Sequence, residues 1–249
     1  YSRALIENYE GDFDGSRKTI SNLFIKGRYQ NNSYLGMFNT ITGSIRNLGI
    51  KNASIKGNCV YPDYFYPSKY VGALCARNSG IISKCYVKGK IIIEDDSPDY
   101  IGGLCGTNEL DNGLIIDSYA SVSISTGKWS QYIGGLAGEN NGKIIGCYAL
   151  GEINTGDKSR YIGGLSGDCS YAQNCYAAVS MNVGTDSDTY GGICGSGRNI
   201  FACFWNKEIA GIDPPDYFRL NMNGKTTSQM QDKKAFEEAG WVFADCQTG

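Results

Sequence analysis

Histidine is absent from all 249 residues. That absence removes serine–histidine–aspartate and cysteine–histidine catalysis, and every zinc site that needs an imidazole. Charge is sparse: charged residues make up 19% and the net charge is -2, so the electrostatic footprint of a nucleic-acid binder is missing. No apolar run approaches the ~20 residues that a helix needs to cross a bilayer, and no stretch reads as a signal peptide. Proline is rare, with five in the chain, and no Cys-x-x-Cys pair suggests a thiolate metal site. Glycine is abundant, at 34, yet follows no Gly-X-Y period, which excludes collagen. An amphipathic helical period is missing from most of the chain.

What is present is repetition. Tyr132-Ile133-Gly134-Gly135-Leu136-Ala137-Gly138 is followed by Cys147-Tyr148-Ala149-Leu150-Gly151-Glu152-Ile153, and variants of both phrases recur. The apolar residue closing each Gly-Gly-Leu triplet (Phe38, Leu74, Leu104, Leu136, Leu165, Ile193) returns at spacings of 36, 30, 32, 29 and 28. A period of this size without helical patterning indicates a solenoid of strands and turns.

The second phrase alternates with period two, which places successive side chains on opposite strand faces. Its small apolar set points inward. Down the repeats one column reads Cys85, Ser118, Cys147, Cys175, Cys203. A second reads Val87, Ala120, Ala149, Ala177, Trp205, and a third reads Ile91, Ile124, Ile153, Met181, closed by Ile209. Ladders of like residues are what parallel strands stacked in register about 4.8 Å apart produce. The expected fold is therefore an all-β, right-handed parallel β-helix of about seven coils, with the hand taken from the preference of parallel crossovers. Residues 1–33 read as an atypical first coil, 34–217 as the repeats and 218–249 as a C-terminal segment with a short helix that caps the stack. In that segment Thr227 or Ser228 can start the helix and Gly240 can end it.

The phrase Tyr-Ile-Gly-Gly-Leu-x-Gly with Ile-x-x-Cys-Tyr-Ala-x-Gly resembles the GLUG repeat, named for its Gly-Leu-any-Gly signature. The resemblance covers roughly residues 34–205. It departs at Gly36-Met37-Phe38, at Ser118 and at the shortened Tyr190-Gly191-Gly192-Ile193. Such arrays occur in large secreted or surface proteins of bacteria, including adhesin-like proteins and immunoglobulin-A metallopeptidases. The resemblance implies an extracellular module at the cell surface and no catalytic residues, because the peptidase zinc motif lies outside the repeats. Tyr1 opens within the pattern, so the chain is expected to be part of a longer one.

Candidate sites lie in the loops at 28–33, 58–69, 94–99, 125–131, 154–160 and 184–189, where length and chemistry vary. Tyr61, Tyr64, Phe65 and Tyr66, with Trp129 further along, form the candidate ligand-binding set. The competing reading is that these aromatics pack on their own loop or on a neighbouring domain. Two outward aromatic columns, Tyr86-Tyr119-Tyr148-Tyr176-Phe204 and Tyr34-Tyr70-Tyr100-Tyr132-Tyr161-Tyr190, read as ring ladders that stabilise the coil rather than as ligand platforms.

The ten cysteines track the repeat and read mainly as buried free thiols, with Cys169 and Cys175 as the candidate for a local disulfide. Asp95, Asp96, Asp99, Asp186 and Asp188 read as solvated loop acids, since no calcium-loop spacing is present. No catalytic, cofactor or metal residue is assigned. The expected function is a non-catalytic spacer or adhesion and ligand-binding module of a bacterial surface protein, not embedded in the membrane, with a host or bacterial surface glycan or protein as partner and no nucleic acid. The alternatives are a polysaccharide-binding or polysaccharide-cleaving β-helix and the accessory domain of a secreted peptidase.

Overall fold

The computed structural model describes residues 4–29, 33–59, 69–94, 96–110, 112–212 and 223–242. Every strand pairing within them is parallel, and each turn of the chain runs through four sheets. One turn shows the plan. Gln131–Gly134 forms the first face, Ala137–Asn140 the second, Lys143–Ile145 the third and Tyr148–Asn154 the fourth. Among the described residues the sheet of the first face has six strands, those of the second and third have seven each, and that of the fourth has nine. About six turns are therefore complete on all four sides. Before these turns, Ile6–Tyr9, Asp12–Asp14 and Thr19–Ser21 pair with the next coil on the second, third and fourth faces; the residues preceding Ala4 lie outside the described ones, so a seventh turn is not established. At about 4.8 Å per turn, six turns make a stack of roughly 30 Å.

From Tyr86–Ile93 to Tyr176–Asn182 register is one to one along the long fourth face, whereas one turn earlier Gly49–Cys59 carries one extra residue between the partners of Val87 and Gly89. Tyr119 opposes Tyr148, Ala120 opposes Ala149 and Ile124 opposes Ile153. Alternation in Tyr119–Thr126 matches the burial of every second residue. The inward columns form one continuous core that includes Leu104, Leu136 and Leu165 at the first corner and Ile82, Ile115 and Ile144 on the third face. Fully burying each such side chain contributes about 1.5–3 kcal/mol.

Two corners explain the recurrent phrases. Before the Cys column the chain turns through a left-handed residue: Asn47, Lys84, Asp117, Gly146, Asn174 or Ala202. Asn, Asp and Gly adopt that conformation at least cost, while Lys84 and Ala202 incur roughly 1–2 kcal/mol each. In the Gly-Gly-Leu corner the reason for glycine is space, not conformation. A Cβ on Gly134 would run into the carbonyl oxygen of Ala137 and the backbone of Ser166 on the next turn.

Two register expectations change. Ile162 opposes Tyr190, so Thr189 takes the tyrosine's place on the last turn and Tyr190 takes the isoleucine's. The cause is visible in Thr189-Tyr190-Gly191-Gly192, where tyrosine directly precedes the glycines. Ile209 does not close the isoleucine column. It lies in the helix Lys207–Ala210 and is 42% exposed, while Ala210 is buried in its stead.

The C-terminal helical expectation resolves into two short helices, Thr227–Met230 and Lys233–Glu237, the first opened by a capping box of Thr226 and Gln229. Phe236 meets Phe204 edge-on at 5.3 Å, and the Trp241 indole donates to the Ala202 carbonyl at 2.9 Å. The expected boundary at residue 217 lies outside the described residues.

Candidate functional site

Tyr61, Tyr64, Phe65 and Tyr66 lie outside the described residues. Trp129 is described, and it stands where the fourth face hands over to the first. The turns here are as regular as the strands. The Ser97 amide donates to the Lys128 carbonyl at 2.6 Å, the Trp129 amide to Asp157 at 2.9 Å and the Lys158 amide to Thr185 at 2.8 Å. Hydroxyls bolt the turns from within: Ser130 Oγ donates to Gly127 O at 2.6 Å, and Ser159 Oγ donates to Gly156 O at 2.7 Å while accepting the Ser130 amide at 3.2 Å. Outside, Asp157 Oδ1 accepts both the amide (3.0 Å) and the hydroxyl (2.8 Å) of Thr185. Those bonds, led by the hydroxyl, hold the Asp157 carboxyl below its usual range.

Two outward columns result. Ser97, Trp129, Lys158 and Asp186 all have left-handed backbone, with φ of 59°, 60°, 59° and 55°. Beside them Asp99, Gln131, Arg160 and Asp188 pair in register on the first face. Together the columns line an open cleft of about 850 Å³. The Lys158 ammonium lies over the Trp129 ring, 4.7 Å from its centre, and Arg160 pairs with Asp188 at 3.1 Å. Trp129 is half exposed. Gln131 and Arg160 entered the sequence reading only as the ends of the loops 125–131 and 154–160, although each directly precedes the tyrosine of its repeat.

The tyrosine ladders are confirmed as stacks. Tyr86, Tyr119, Tyr148 and Tyr176 stack at 4.6–5.1 Å with planes within 7°. Tyr34, Tyr70, Tyr100, Tyr132 and Tyr161 stack at 4.7–5.4 Å. Inner rings thus spend both faces on one another, and only edges and hydroxyls remain for a ligand. Burial and neighbouring phenols push the Tyr148 hydroxyl up to about 12. Along the second ladder Arg77 pairs with Glu109 at 2.8 Å and lies over the Tyr70 ring. Glu139, half-buried beside Asp168, is raised above the usual carboxylate range chiefly by desolvation.

The cysteines serve corners. Cys147 Sγ donates to Ile145 O at 3.2 Å and accepts the Ser118 amide at 3.5 Å. Ser118 Oγ makes the same pair of bonds, to Ile116 O at 2.8 Å and from the Cys85 amide at 3.0 Å, which is why serine fits this column. The candidate disulfide is not formed. Cys169 and Cys175 are both buried free thiols; Cys169 accepts from Asn140 Nδ2 on the second face, while Cys175 bonds Gln173 O at the corner before the fourth. Burial raises Cys85 to about 11 and Cys147 to about 12, so these thiols are poor nucleophiles.

A buried asparagine ladder went unnoticed in the sequence. Asn78 Nδ2 donates to Asn108 Oδ1, and Asn108 Nδ2 to Asn140 Oδ1, each at 2.7 Å. Its signal is an Asn placed a few residues before each glycine of the second corner, as in Asn78-Ser79-Gly80 and Asn140-Asn141-Gly142. Among the described residues no group of three or more His, Cys, Asp or Glu could hold a metal ion, and no helix is long and apolar enough to cross a membrane.

A four-sided parallel β-solenoid with in-register ladders defines the class to which this molecule belongs. The GLUG motif matches residues 130–154, one turn of the stack, which begins beside Trp129 and includes Gln131. Halomucin of Haloquadratum walsbyi is 32% identical over 107 residues, which are 42% of this chain and 1% of halomucin. The crystal structure of a putative immunoglobulin A1 protease from Bacteroides ovatus superposes with a TM-score of 0.50 at 19% identity, over 82% of this chain and 71% of that one. That likeness concerns the fold.

Proposed function

We propose that this chain is a non-catalytic β-helix module of a secreted or cell-surface protein, acting as a stiff spacer that holds other parts of a longer protein apart. The observation that carries this reading is where the repeated chemistry goes. The cysteine, serine and asparagine columns bond the next turn, and the tyrosine columns stack on it. Such a ladder resists bending and shear because each turn is tied to its neighbours on four sides.

The extracellular assignment draws on the GLUG resemblance and on the protease named for immunoglobulin A1, a substrate met outside cells. In this reading the stack winds right-handed, as parallel crossovers prefer. The segment from Thr226 to Trp241 caps the last turn, with Phe236 edge-on to Phe204 and Trp241 edge-on to Phe236. To test it, the chain is incubated with a panel of polysaccharides and peptides. No turnover is expected; reproducible turnover abolished by Asp99→Asn or Asp188→Asn would overturn the reading.

A further inference from the structure

We propose that the cleft beside Trp129 binds a neutral oligosaccharide lying along the stacking axis. The first ground is the cost of the indole. Trp129 sits at φ 60°, where a bulky residue is strained and glycine is not. The bond that holds the turn runs from its backbone amide to Asp157 and needs no side chain. The ring is half exposed and belongs to no part of the core. Folding alone would favour another residue here, so the side chain answers to something else.

The second ground is how the ring is presented. Lys158, one turn on, lies over one face and steadies the indole. One turn back the same column holds Ser97, too small to cover the opposite face. This is the reverse of the tyrosine ladders, whose inner rings are covered on both sides. An indole face available in a cleft suits the C–H face of a pyranose ring. Gln131, Asp99, Arg160 and Asp188 add planar polar groups that can pair with neighbouring sugar hydroxyls. Successive turns stand about 4.8 Å apart, so an extended chain along the axis meets one pair of side chains per turn, with the indole and Gln131 at one of them. The volume, about 850 Å³, falls in the range of small-molecule sites.

Charge selects a neutral sugar. Asp99 stands at one end of the cleft and Asp186 and Asp188 at the other, with Lys158 and Arg160 between them. An anionic chain would meet acids at both ends, and a cationic one would meet the bases at the centre. This site is additional to the spacer reading, which stands or falls on turnover and not on binding.

The test titrates the intact chain with cello-, manno- and galacto-oligosaccharides by calorimetry and tryptophan fluorescence. Polygalacturonate and chitosan oligomers provide the anionic and cationic arms. We expect binding within the neutral series with a blue shift of the emission. Trp129→Gly should weaken binding at least about tenfold while Tm stays level or rises, and Gln131→Ala should weaken it several-fold at unchanged Tm. Absence of binding to every neutral oligosaccharide, full binding by Trp129→Gly, or preference for a charged arm would overturn the proposal. A clear fall in Tm for Trp129→Gly would overturn it as well, because the indole would then serve the fold.

Discussion

At the scale of the residue, this molecule uses buried polar groups as fasteners between turns. Asn108 is completely buried and donates to Asn140 Oδ1 and to Gly113 O while accepting from Asn78. Replacing it by leucine strands partners on three sides. Asn108→Leu is expected to cost about 3 kcal/mol or more in urea unfolding, despite the similar volume. The cysteine corner predicts a contrast. Cys147→Ser preserves both corner bonds, as Ser118 already does, and should cost under about 1 kcal/mol. Cys147→Val keeps the bulk and loses the bonds, and should cost about 2 kcal/mol. The same thiol sets a pH dependence. Its value is raised from 9.0 to about 12 in the fold, so between those limits the folded chain holds a proton that the unfolded chain has lost. Unfolding then releases a proton, and stability falls as pH rises through that window. Equilibrium unfolding followed from pH 8.5 upward should show the decline, and Cys147→Ser should lessen it.

At the scale of the element, the unit is a column and not a strand. Tyr132 combines a left-handed backbone, at φ 56°, with two stacked neighbours, Tyr100 at 4.9 Å and Tyr161 at 4.7 Å. Tyr132→Ala retains the backbone strain and loses both ring contacts, for an expected cost of about 1–3 kcal/mol. Tyr132→Gly relieves the strain and should recover about 1 kcal/mol of that loss, as chemical denaturation of the two variants would register. Columns were legible before any coordinates because parallel in-register pairing brings each residue against its counterpart one period away. Val87 through Trp205 and Ile91 through Met181 lie where the spacing predicted. Columns failed where counting ran from the wrong landmark. Counting back from Gly191-Gly192 puts Thr189, not Tyr190, opposite Tyr161. The four-sided section was not legible, because its corners turn on left-handed residues as unlike as Lys84, Asp117 and Ala202. Trp129 stood out as a loop aromatic and Asp99, Asp186 and Asp188 as loop acids, but nothing in the sequence brought them together. Gln131 and Arg160 are ordinary residues until stacking aligns them.

At the scale of the whole molecule, stability is a sum over neighbouring turns, since each turn touches chiefly the one above and the one below. The registers bracketing the Trp129 region make this testable by excision. Removing residues 131–159 takes out one period, from the start of one first-face strand to the residue before the next. Arg160 already receives its amide's acceptor from Ser130 O at 2.8 Å across the turns, so the new junction joins residues that lie close together. Asp99–Gly102 would then face Arg160–Gly163, with isoleucine again opposite isoleucine and glycine opposite glycine. Five complete turns should remain folded, with the β signature retained and a urea m-value reduced in proportion to the lost surface. Removing residues 131–145 instead puts a fourth-face strand where a first-face strand belongs. Inward columns would meet outward ones, and cooperative unfolding should disappear. If both excisions folded equally well, the stack would not depend on register, and the ladders would be a by-product of repetition rather than what holds the turns together.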